Sequence, residues 1–132
     1  MKAMRMSLLV AVSLMVFALP YDAAADCGDR TEMSSTPDGD AVAAIGVSLL
    51  SSNNDGAQQI FIVQVGATVP DGTQLFVSAN GLPAGTLTVS GGIGTLDLSN
   101  LNDILPAGVD PVCPIGHVWV NDANGTTLLS GF

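Results

Sequence analysis

Beyond residue 25 the chain has no lysine, and it has one arginine, one histidine and one glutamate. A nucleic-acid binder needs a basic patch to displace counterions from phosphates, and Arg30 alone cannot form one. Charged residues of both signs make up only 11% of the chain, while 48% is apolar. That balance favours collapse into a core over disorder. Aromatic residues are 5% of the total, so platforms for stacking sugar rings are scarce. No segment carries a convincing helical period, and ten of the eleven acids after residue 25 are Asp, a turn former and poor helix former.

What is present begins with an export signal. Lys2 and Arg5 form a positive start, Ser7 to Leu19 is an almost unbroken apolar run, and Pro20 breaks it. Ala23-Ala24-Ala25 then offers small residues for cleavage before Asp26. The run is 13 residues, short of the ~20 that a spanning helix needs. Residues 1–25 are therefore expected to be a cleaved signal peptide, with no membrane span left afterwards. A lipoprotein acylated on Cys27 is the weaker alternative, because Asp26 replaces the small residue wanted beside the cysteine. Cleavage leaves 107 residues with one base, 11 acids and a formal charge of -10. The expected location is secreted or periplasmic.

The cysteines that remain are Cys27 and Cys113. In an exported protein a pair is expected to form a disulfide. Residues 26–40 are polar and have no apolar period, which reads as an extended leader tethered by Cys27. Residues 41–132 read as the folded domain.

Within that domain a period of two dominates. Ala43, Ile45, Val47 and Leu49 alternate with Ala44, Gly46 and Ser48. Ile60-Phe61-Ile62-Val63 is an unbroken β-favouring run, expected to be buried on both faces. Residues 74–80, 86–90, 95–99, 116–121 and 126–132 complete about seven strands. Pro37-Asp38-Gly39, Pro70-Asp71-Gly72, Pro83-Ala84-Gly85 and Pro106-Ala107-Gly108 are read as recurrent turns, and Asn121 to Gly125 as the last hairpin. The expected fold is a small all-β antiparallel sandwich of immunoglobulin-like architecture.

Chemical motifs come close and fail. Cys113-Pro114-Ile115-Gly116-His117 has a spacing seen in blue-copper sites, but the chain has no second histidine and no methionine after His117. Gly91-Gly92-Ile93-Gly94-Thr95-Leu96-Asp97 resembles a calcium-binding nonapeptide with its Asp one place late and in a single copy. Asn121, Asp122 and Asn124 are weak calcium candidates, since the Glu an EF-hand loop needs six residues after Gly125 is Gly131. Leu82-Pro83-Ala84-Gly85-Thr86 inverts the order of a cell-wall sorting signal, and Asn124-Gly125-Thr126 is a formal glycosylation sequon.

No nucleophile–base pair or cofactor motif emerges, so no cofactor and no catalytic residue is expected. A non-catalytic module with a structural or binding role is. Its candidate binding loops are Asn53, Asn54 and Asp55, together with Asn100, Asn102 and Asp103, polar turns suited to an extracellular protein or a glycan. Self-assembly is the alternative. With no lysine to guard a sheet edge, the uncharged segment Thr126–Phe132 is expected to be free to add to a neighbouring copy.

Overall fold

The computed structural model describes residues 26–35, 42–101 and 103–131. The signal peptide and its cleavage site lie outside the described residues. So do the Pro37-Asp38-Gly39 turn, Asn102 and Phe132.

The described chain is all-β. Its strands are β1 (Cys27–Ser35), β2 (Ala44–Asn53), β3 (Gln58–Ala67), β4 (Gln74–Ala79), β5 (Leu82–Thr88), β6 (Ile93–Ser99), β7 (Val118–Asn121) and β8 (Thr127–Gly131), with a 3-10 turn at Ala107–Val109 before β7. All pairings are antiparallel. They form one eight-stranded sheet in the order β5-β4-β7-β8-β1-β2-β3-β6, curled nearly into a barrel. The expectation of about seven strands in a two-sheet immunoglobulin-like sandwich is corrected on both counts. The strand that the sequence hides, β1, is also the one that joins the two halves.

Residues 27–35 are thus no leader. Cys27 to Met33 pair with β2, and Ser34 and Ser35 then pair with Ser130 and Leu129 of β8. Only Met33 of this strand is buried, so the strand is held by its backbone and has no apolar period to detect. Where it crosses between the halves, the packing is tight. A Cβ at Gly46 would lie 2.7 Å from Met33 Cε and 2.9 Å from Leu129 Cδ1. Glycine there lets Met33 plug the corner. At the opposite seam β5 and β6 close on each other through side chains, and a Cβ at Gly85 would come 2.8 Å from Leu96 Cδ1.

The core holds Phe61, Val63 and Val65 of β3, Leu75 and Val77 of β4, Leu87 of β5, Val120 of β7 and Leu128 and Leu129 of β8. Leu75, Val77, Val118 and Val120 take the inward positions that their alternation predicts. In β8 both Leu128 and Leu129 are buried, because the register slips beside Asn121.

Two turns differ from expectation. Pro83-Ala84-Gly85 lies inside β5, and the β4–β5 hairpin turns at Asn80-Gly81 instead. Both residues have positive φ, +50° and +82°, the geometry of a two-residue turn that asparagine and glycine tolerate. Pro106-Ala107-Gly108 opens the 3-10 turn.

The disulfide is present. Cys27 and Cys113 are bonded, with Cα atoms 5.8 Å apart and a sequence separation of 86. Among the described residues no helix is long and apolar enough to cross a membrane.

Candidate functional site

Of the polar loop residues nominated by the sequence, Asn53 and Asn100 bond within the chain through their side chains, and Asn54, Asp55 and Asp103 do so through their backbones. Asn54, Asp55 and Gly56 hold positive φ in the β2–β3 turn. Asp55 donates its N–H to Asp26 Oδ1 at 2.9 Å, and Asn53 Nδ2 donates to Ser51 Oγ. Asn100 Oδ1 accepts the Gln59 N–H at 2.8 Å, while its Nδ2 donates to the Ala57 carbonyl. The Asp103 N–H donates to the Ser99 carbonyl. The pairings Asn53 with Gln58 and Ile60 with Ser99 bring these two loops together at one end of the sheet, which is also the disulfide end.

The third loop sits at the opposite end and is equally occupied. Asp122 Oδ1 accepts the N–H groups of Asn124 and Thr126, both at 2.9 Å. That closes the β7–β8 turn with one of the two oxygens of this carboxylate. Asn124 is exposed, and Asn121 stands on β7 with its Oδ1 buried. Among the described residues no three His, Cys, Asp or Glu side chains gather as a metal site would require.

His117 stacks on Trp119 with ring centroids 3.8 Å apart, on the outer side of β7. Cys113 is committed to the disulfide. The copper-like spacing therefore places no thiolate beside the imidazole. The expected free C-terminal strand is corrected too, since β8 has β7 on one side and β1 on the other. The strand lacks charge because it lies inside the sheet.

A different surface stands out, and it comes from an inversion in β2. The apolar half of its alternation, Ile45, Val47 and Leu49, points away from the core, while Ser48 and Ser52 are buried at 4% and 2% exposure. Burying serine in place of isoleucine costs hydrophobic stabilisation. Ile60 and Ile62 of β3, expected to be buried, are half-buried on this same outer side, with Phe61 and Val63 inward.

Register assembles these residues into a face across β1, β2, β3 and β6. One row reads Arg30, Leu49, Ile62, Asp97, and the next Glu32, Val47, Gln64, Thr95. A third ends in Ile45, Gly66 and Ile93, and on the other side lie Gly28, Ser51, Ile60 and Ser99. Ile45 is 76% exposed, Ile93 54% and Leu49 38%. Two open depressions lie on this face. One, about 540 Å³, is lined by Arg30, Glu32, Ile45, Gly66 and Ile93 among others, and the second, about 520 Å³, by Leu49, Ile60 and Ile62.

Six aliphatic residues thus share one solvent-facing surface, rimmed by Arg30 and Glu32 on β1 and Asp97 on β6. Arg30 is the only Lys or Arg after residue 5. Sequence reasoning missed this face because alternation reports that a strand has two sides, not which side is inward. The buried Ser48 and Ser52 became visible only with the fold.

No family model, curated protein or solved structure was found to match the chain.

Proposed function

We propose that this chain is an exported, non-catalytic module with a binding or structural role, and that the outer face of β1, β2, β3 and β6 is its working surface. One observation carries the reading: Ile45, Val47 and Leu49 face solvent on a strand whose inward positions include two buried serines. Turning that strand by one residue would bury more apolar surface, so the exposed aliphatic face runs against stability alone. Contiguous apolar surface rimmed by charge marks a contact site. Export is supported by the leader pattern of residues 1–25 and by the disulfide, which persists in oxidising compartments. A non-catalytic role is supported by the use of the polar loops. Asp26, Asp122, Asn100 and Gln59 accept backbone N–H groups, and His117 packs on Trp119.

The test is the melting temperature of Leu49→Lys and Ile45→Ser in dilute protein. A contact face predicts changes of under about 2 °C, the size of an ordinary surface substitution. A fall as large as that of the core variant Val63→Ala shows instead that the face is packed within the chain, and the reading fails.

A further inference from the structure

We infer that the partner of this face is the same face of a second copy, joined by a two-fold axis parallel to the strands. The inference rests on the reading of the face as a contact surface and adds the identity of the occupant.

Such an axis lays β1 over the other copy's β6 and β2 over its β3, while each row stays at its own level. Arg30 of one copy then faces Asp97 of the other, and the reverse pair forms on the far side. Leu49 meets Ile62 and Ile62 meets Leu49 in the Arg30 row, while Val47 and Gln64 meet each other in the Glu32 row. Ile45, the most exposed apolar residue of the strands, falls opposite Gly66, on the wall of the 540 Å³ depression.

A two-fold axis across the strands, placed between the Arg30 and Glu32 rows, also brings Arg30 to an acid, the second copy's Glu32. It sets Ile62 against Gln64 and leaves Asp97 against Thr95. Each axis sets one aliphatic residue against Gln64, Val47 in the first case and Ile62 in the second, and only the strand-parallel axis pairs both the base and Asp97.

Charge favours a self-partner of this geometry. After residue 25 the chain has one base and 11 acids. A second copy repels everywhere except where a base meets an acid, and the face holds the one base at one rim and an acid three strands away at the other. Those rims are ~14 Å apart, three strand spacings. Sheets pack at ~10 Å with their strands within about 30° of alignment, a gap that an arginine side chain spans. Exposed ion pairs contribute little affinity, so Arg30 and Asp97 set register and the aliphatic rows supply adhesion. Four strands by four rows give a footprint of roughly 450 Å² a copy. That is at the small end of specific interfaces, and it fits a reversible dimer.

The experiment is sedimentation equilibrium of the chain as exported, across a wide concentration range. The wild type is expected to show a monomer–dimer equilibrium. Arg30→Asp places two acids face to face, and Asp97→Arg places two bases face to face. Each is expected to weaken the dimer at least tenfold, and the double exchange R30D/D97R to restore it to within threefold. Asp97→Arg lowers the net negative charge, so a gain in dimer from that change alone overturns the pairing. Rescue of R30D by E32R in place of D97R overturns the strand-parallel register.

A wild type that stays monomeric at every concentration overturns the inference. If Leu49→Lys still leaves the melting temperature unchanged in that case, the contact face stands and its occupant is not a second copy. If Leu49→Lys unfolds the chain, the contact face falls with it.

Discussion

The Gln59 side chain reaches across 53 residues to accept the Val112 N–H at its Oε1, 2.8 Å away. Its Nε2 donates to Asp110 Oδ1 at 3.4 Å, and its backbone N–H donates to Asn100 Oδ1. Gln59 is buried and Val112 fully so. One amide therefore fixes the segment between the 3-10 turn and Cys113 against β3. Gln59→Leu leaves a buried N–H without its acceptor and is expected to cost ~1–3 kcal/mol, read as a lower urea midpoint. An unchanged midpoint means that the segment is held without this bond.

Asn80 performs the same service at the β4–β5 turn. Its Oδ1 accepts the N–H groups of Gly116 and His117 at 3.0 and 3.2 Å, and its Nδ2 donates to the Pro114 carbonyl at 3.2 Å. It does so at φ +50°. Asn80→Gly loses the side-chain bonds and keeps the turn, whereas Asn80→Ala loses both. The alanine variant is expected to be the less stable by about 1 kcal/mol. Equal stabilities would show that the backbone conformation costs nothing there.

The disulfide ties the start of β1 to the loop before β7. Replacing Cys27 and Cys113 together by Ser is expected to cost ~2–5 kcal/mol, measured by urea unfolding with the intact protein as reference. Thiol titration of the oxidised protein should find no reactive sulfhydryl. Two reactive thiols would remove both the tether and the main support for an oxidising compartment.

Calcium should not matter at the β7–β8 turn. Asp122 Oδ1 already serves two amide groups. Adding calcium or chelator is expected to shift the melting temperature by less than about 1 °C, because only a ligand that binds the folded state stabilises it. A larger rise that Asp122→Ala abolishes would place an ion on this turn.

Much of the sheet was legible from residue order. Alternation located β4, β6, β7 and β8, and Asn121 to Gly125 announced its hairpin. The turn at Asn80-Gly81 was also written in the sequence, in a dipeptide that strongly favours hairpins, but the neighbouring Pro83-Ala84-Gly85 carried the more conspicuous turn composition. Strand β1 was not legible. Its pairing is a property of backbone groups, and Met33 alone marks an inward side. The loop asparagines and aspartates were read for what they could offer a ligand. Their partners are chain segments 29 to 43 residues away in sequence, or groups close by in the same turn, and composition does not show such partners. For β2 the pattern gave a two-sided strand without naming the inward side, and the fold turns the serine side inward and the aliphatic side out. That orientation is what exposes the candidate site.

The place of β1 between β2 and β8 has a consequence for biogenesis. The first strand of the fold meets the last at Ser34 and Ser130, and its cysteine meets residue 113. Neither union can form until nearly the whole polypeptide has emerged. On the proposed export route the chain therefore stays unlocked while it travels, and it fastens only after β8 has passed through.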